Sequence, residues 1–133
     1  MRIFLDANLI FSAVPDGSPS RQFIVVLGKK AELVSHPLVW EEAERNLRVK
    51  RPAWLAGLAF LQGCVALRAA MAVCPPRLLP DKDEPVLGAA IASQCDYLVT
   101  GDRTHFGKLY GCVIHGVTIV SPWMLAETMQ EWR

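Results

Sequence analysis

Two apolar runs in this chain stop at an aspartate. Ile3-Phe4-Leu5 runs into Asp6, and Tyr97-Leu98-Val99 runs through Thr100 and Gly101 to Asp102. Short continuous runs of β-formers suit central parallel strands covered on both faces. Each such strand then delivers a carboxylate at its carboxyl end, where the ligands of open parallel sheets bind. Two acids meeting at one sheet edge constrain what the rest of the chain supplies: further strands, covering helices and the partners of those acids.

The intervening sequence alternates between the two kinds of element. Asn8–Ala13 reads as a short helix closed by Pro15-Asp16-Gly17. Ser18-Pro19-Ser20 is the cap and first turn of a second helix, with Phe23, Ile24 and Leu27 on one face and Gly28 near its end. Glu32–Ser35 is a short strand. Pro37 opens a helix whose apolar stripe is Leu38, Val39, Ala43 and Leu47. Pro52 opens another, carrying Leu55, Leu58, Ala59 and Leu61, and Cys64–Leu67 follows as a strand. Cys74-Pro75-Pro76 breaks regular structure. Asp81-Lys82-Asp83-Glu84-Pro85 is an acidic helix start, with Val86, Leu87, Ala89, Ala90 and Ile91 facing the core. The small residues Gly88, Ala89, Ala90 and Ala92 are expected to let that helix lie close to the sheet. Thr104–Leu109 is a short helix or turn, Val117–Val120 a last strand and Pro122–Trp132 a C-terminal helix. Such alternation predicts an α/β sandwich around a mostly parallel sheet, as one domain over residues 1–133.

Composition removes several function classes. No apolar run approaches the roughly 18–20 residues of a membrane span, and an arginine followed by Asp6 is no signal peptide. Cys64, Cys74, Cys95 and Cys112 form no CxxC pair, so reduced cytosolic thiols are expected rather than a zinc or dithiol site. A net charge of +1 announces no bulk attraction to nucleic acid, so any such contact must be a local basic patch.

Four carboxylates are candidates for one site: Asp6, Glu42, Asp83 and Asp102. Packed without a cation they repel one another and their pKa values rise. A divalent ion such as magnesium relieves this; it also eases loss of a proton from water and stabilises charge on a phosphoryl oxygen. Clustered acids without a histidine pair or cysteine motif therefore point to metal-assisted phosphodiester hydrolysis. Each acid also has an ordinary explanation. Asp6 and Asp102 can cap the helices that follow them, Asp83 can answer a helix dipole, and Glu42 can be a solvated helix residue. Glu41 competes with Glu42, and Asp81 with Asp83.

Leu5-Asp6-Ala7-Asn8, Glu41 to Leu47, and Asp83-Glu84-Pro85-Val86-Leu87-Gly88-Ala89-Ala90 leading to Thr100-Gly101-Asp102 resemble a PIN domain. The resemblance covers nearly the whole chain and is most specific from Asp83 to Asp102; Arg68–Leu79 matches little. It implies a three-layer α/β/α sandwich and an acid cluster that binds Mg2+ or Mn2+ to cleave RNA. Residue by residue, Asp6, Glu42, Asp83 and Asp102 match the family's four acids, Asp6, Asp83 and Asp102 being the expected metal ligands. Thr100 matches the supporting threonine, and Asn8 a polar position beside the first acid. Many small members are toxins of the VapC type in toxin–antitoxin pairs, which implies a homodimer and a small antitoxin that blocks the cleft. Other members mature ribosomal RNA.

RNA needs positive charge beside the acids. Arg103, His105 and Lys108 follow Asp102, Lys82 precedes Asp83, and Arg45 shares a helix with Glu42, so these are the candidate RNA contacts. Each is also an ordinary surface base, and His105 can alternatively act as a general acid. Trp40, Trp54, Trp123 and Trp132 are expected in helix packing or a dimer contact rather than base stacking, and Met124 and Leu125 in the core. Two alternatives remain: a PIN-like scaffold that binds RNA or protein without cutting, and a phosphatase of the haloacid-dehalogenase type. The phosphatase needs a second aspartate two residues after the first, where this chain has Asn8.

Overall fold

The computed structural model describes residues 1–72 and 79–132; the break expected at Cys74-Pro75-Pro76 lies outside them. In chain order the elements are β1 (Arg2–Leu5), α1 (Ala7–Ala13), α2 (Pro19–Gly28), β2 (Glu32–Ser35), α3 (Pro37–Lys50), a 3-10 turn (Pro52–Gly57) and α4 (Leu58–Gln62). Then come β3 (Ala66–Leu67), α5 (Glu84–Ala92), β4 (Tyr97–Val99), α6 (Arg103–Phe106), a 3-10 turn (Gly107–Leu109), β5 (Val113–Ile114), β6 (Val117–Val120) and α7 (Pro122–Met129). The sheet order is β3-β2-β1-β4-β6-β5, with helices covering it in a three-layer α/β/α sandwich. Every pairing is parallel except β5 with β6.

This order decides where a ligand can sit. The chain leaves β1 towards β2 and β3, then returns to build β4 and β6 on the other side of β1. The connections that follow β1 and β4 therefore diverge and leave a crevice at the carboxyl edge. Asp6 follows β1 directly and Asp102 follows β4, so the two acids belong to neighbouring strands at that switch point. Both strands are held there by apolar burial, with Ile3, Phe4, Leu5, Leu98 and Val99 fully inaccessible.

Several local expectations shift. The face of α3 is rotated: Val39, Trp40, Ala43 and Leu47 are buried, while Leu38 is 56% exposed. Trp40 carries the larger apolar surface and takes the core position. The helix expected from Pro52 is split into a 3-10 turn and α4, and Ala59 is exposed. Gly57 sits where a Cβ would overlap the Val14 carbonyl, and Arg21 bonds Ala13, Val14 and Gly57 carbonyls there. A two-residue strand, β5, went unanticipated; His115 (φ 49°) and Gly116 (φ 85°) form its hairpin turn. Trp54 packs on Phe11 and Trp132 on Tyr97, whereas Trp123 is 74% exposed. The C-terminal helix ends at Met129, before Trp132; Leu125 is in the core and Met124 packs partly against it.

In α5 the small residues serve two contacts. Ala89 and Ala90 are fully buried. Gly88 instead admits the 66–72 segment: a Cβ there would overlap the Ala72 carbonyl, and Ala72 N–H donates to the Gly88 carbonyl at 3.1 Å. Because the obstacle is backbone, Gly88→Ala is expected to destabilise the fold by about 1–3 kcal/mol. Urea unfolding checks this as a lowered midpoint with an unchanged slope.

Candidate active site

Asp6 combines a cap and a site position. Its Oδ1 accepts from Ala7 N–H at 2.7 Å, and its Oδ2 accepts from the Thr100 hydroxyl at 2.7 Å. Only 6% of Asp6 is exposed. Burial, reinforced by the nearby Glu42 and Asp83 charges, pushes its carboxyl up to about 6 despite those two hydrogen bonds.

Thr100 is the hub behind it. Its hydroxyl donates to Asp6 and accepts from Asn8 Nδ2 at 3.2 Å and from Asp102 N–H at 3.1 Å. One hydroxyl offers one proton and two lone pairs, so its capacity is fully used. Asn8 Oδ1 takes the Gly101 N–H at 2.9 Å, and the Tyr110 hydroxyl donates to the Thr100 carbonyl at 2.7 Å. These bonds tie the β1 exit to the β4 exit. Asn8 is thus a bridge, with no second aspartate at the place a phosphatase would need one.

Asp102 likewise divides its oxygens. Oδ1 caps α6 by accepting from His105 N–H at 3.2 Å, and Oδ2 contacts His105 Nδ1 at 2.8 Å. Asp83 occupies the N-cap position of α5 but makes no capping bond. A capping bond therefore does not account for where its carboxylate points. His105 Nδ1 stands 3.1 Å from Asp83 Oδ2, but its hydrogen bond goes to Asp102. Asp83 Oδ2 is buried and has no hydrogen-bond partner among the described residues. Burial raises the Asp83 carboxyl and the Asp102 charge adds to this, against the pull of His105 and Lys82.

Asp6, Glu42, Asp83 and Asp102 line one cleft of about 380 Å3. Asp83, Asp102 and His105 each bring a ligand atom within 4.8 Å of the others, so these three could hold a metal ion. A buried carboxylate oxygen without a hydrogen bond, two carboxyls raised by burial and a mostly oxygen donor set all fit a hard divalent cation. Of the competing pairs, Glu42 and Asp83 line the cleft, while Glu41 and Asp81 do not.

The sequence matches the PIN domain family over residues 2–104. The chain belongs to the PIN domain family. No curated protein matches it. Among solved structures it is similar to a chain of VapBC2 from Rickettsia felis bound to a DNA fragment from their promoter. The TM-score is 0.65 and the identity 16%, over 91% of this chain and 98% of that one. At that identity the likeness is one of fold. The matched span of the PIN domain contains all four acids and stops one residue before His105.

The remaining candidates of the PIN domain are dispersed. Lys82 lines the cleft beside Asp83, and Arg45 lines a neighbouring hollow. Arg103 and Lys108 are exposed beyond Asp102, and neither lines the cleft. His105 turns back onto the acids, three residues after Asp102 in a single helical turn. Sequence reading missed Asn46 and Lys50, which line the cleft with Glu42. Their spacing of four along α3 was the available signal. Cys95 offers no competing chemistry, since burial pushes its thiol up to about 12.

Proposed function

We propose that this PIN domain, one unit over residues 1–133, is a metal-dependent endoribonuclease that hydrolyses RNA phosphodiester bonds. We read it further as the cytoplasmic toxin of a type II toxin–antitoxin pair, acting as a homodimer. The observation that carries the nuclease reading is the cleft itself: four acids from four separate segments, with the Asp83 Oδ2 buried and making no hydrogen bond among the described residues. Family membership supports hydrolysis, and the fold likeness to a chain of a VapBC assembly supports an antitoxin partner. No helix among the described residues is long and apolar enough to cross a membrane.

Asp6, Asp83 and Asp102 would hold Mg2+ or Mn2+, with Glu42 the fourth acid. When bound, the ion supplies Lewis acidity towards a phosphoryl oxygen and lowers the pKa of water. The chain's own groups do the positioning. Thr100 and the Ala7 N–H fix both oxygens of Asp6, and His105 fixes Asp102. Lys50 and Lys82 bring positive charge to the same cleft for a phosphodiester.

With single-stranded RNA and Mn2+ or Mg2+, the purified protein is expected to cut internally. Chelator or Asp102→Asn is expected to stop the reaction without changing the circular dichroism spectrum. Full cleavage in chelator would refute the metal role, and RNA binding without cleavage under any divalent ion would support a non-catalytic module.

A further inference from the structure

A second hollow of about 300 Å3 adjoins the acid cleft and shares Glu42 and Lys82 with it as walls. Its apolar lining is Leu38, Val39, Met71, Pro85 and Val86. Leu38 and Met71 are 56% and 44% exposed, although α3 has a complete core face without Leu38. Large apolar side chains left open around a cavity, beside a charged cleft, mark a binding surface more than a packing accident. His36, Glu41 and Arg45 complete the lining.

We propose that this hollow is a base subsite, taking the nucleobase next to the phosphodiester held at the acids. The proposal rests on the nuclease reading and adds which part of the substrate the chain grips beyond the phosphate. Single-stranded RNA presents splayed bases whose faces bury against apolar groups and whose edges need polar partners. The apolar lining suits the face. The Glu41 carboxylate accepts from an exocyclic amino group, as acidic side chains do from cytosine. Arg45 and Lys82 offer charge to the phosphates on either side of that base. Because Glu42 and Lys82 border both spaces, the two lie side by side, and a base next to the phosphodiester at the acids comes within reach of the hollow. Adenine, cytosine and guanine carry the amino group and uracil does not, so the subsite discriminates against uridine.

The test is cleavage of random-sequence single-stranded RNA with Mn2+, the new ends being sequenced. It runs beside turnover of bis(p-nitrophenyl) phosphate, a diester that has no base. The wild-type chain is expected to disfavour uridine at one position beside the cut. Leu38→Trp, which fills the hollow from an exposed site, is expected to lower RNA cleavage about tenfold more than diester turnover. Glu41→Ala is expected to admit uridine. A wild-type profile with no base preference overturns the subsite, as do variant profiles identical to wild type or equal losses on both substrates; active diester turnover then leaves the nuclease reading standing. A wild-type chain inert towards both substrates removes the nuclease reading and the subsite with it.

Discussion

Asp6→Asn is expected to reduce RNA cleavage by at least about a hundredfold and, in chelator at pH 7, to make the protein more stable. The two effects have one cause. Asp6 is buried, and its carboxyl is raised to about 6 from an ordinary 3.8. Across the window between those values the folded state binds the proton and the unfolded chain does not. Stability contributed by this group is therefore present below pH 4, declines as pH rises and is lost above about 6. At pH 7 the ionised Asp6 opposes folding by roughly 3 kcal/mol. Asparagine keeps an acceptor for the Ala7 N–H or the Thr100 hydroxyl and removes the charge. Its thermal midpoint in chelator is expected to exceed wild type by several degrees at pH 7 and to match it near pH 4. The Asp83 carboxyl, also raised by burial, contributes with the same sign. An Asp6→Asn protein that loses activity and stability together at pH 7 would make Asp6 a structural acid.

Thr100→Val is expected to produce the largest loss of stability among the site residues. Valine has nearly the same shape but leaves the Asp102 N–H without its acceptor, and leaves Asn8 Nδ2 and Asp6 Oδ2 with only their long 3.5 Å contact to each other. An unpaired buried group opposes folding by about 1–3 kcal/mol; of these only the Asp6 bond is fully buried and the other two are half-buried, so a total of about 2–4 kcal/mol is expected. Removing the Thr100 hydrogen bond also takes away the stronger of the two bonds that hold the Asp6 carboxyl down, so activity falls as well. Thr100→Ser keeps the hydroxyl and is expected to restore both within about 1 kcal/mol. Urea midpoints and cleavage rates on the three proteins check this. A valine variant within 1 kcal/mol of wild type would show the hub to be dispensable.

The sequence was most legible where an apolar run met an acid. Ile3-Phe4-Leu5 and Leu98-Val99 are fully buried, so Asp6 and Asp102 emerge at the sheet edge where those runs end. Proline and serine at helix starts marked Pro19, Pro37 and Pro122 because their geometry is local. What depends on distant partners was less legible. Leu38 sits among apolar residues in sequence, yet Trp40 takes the core face and Leu38 borders the hollow. The hairpin at His115-Gly116 rests on positive φ at both residues, a weaker signal in sequence than Asn-Gly. For Glu42, helix periodicity alone gave no preference over Glu41; family resemblance chose it, and Glu42 lines the same cleft as Asp83. His105 read as a candidate RNA contact rather than a partner of the acids, because its approach to Asp83 crosses from α6 to the start of α5.

Calorimetric titration of Mn2+ into the wild-type protein and into Asp6→Asn, Asp83→Asn and Asp102→Asn addresses the gathering of these acids most directly. The account predicts saturable binding by wild type that weakens at least about tenfold in every variant. Absence of binding at millimolar Mn2+, or binding that all three substitutions leave unchanged, would contradict it.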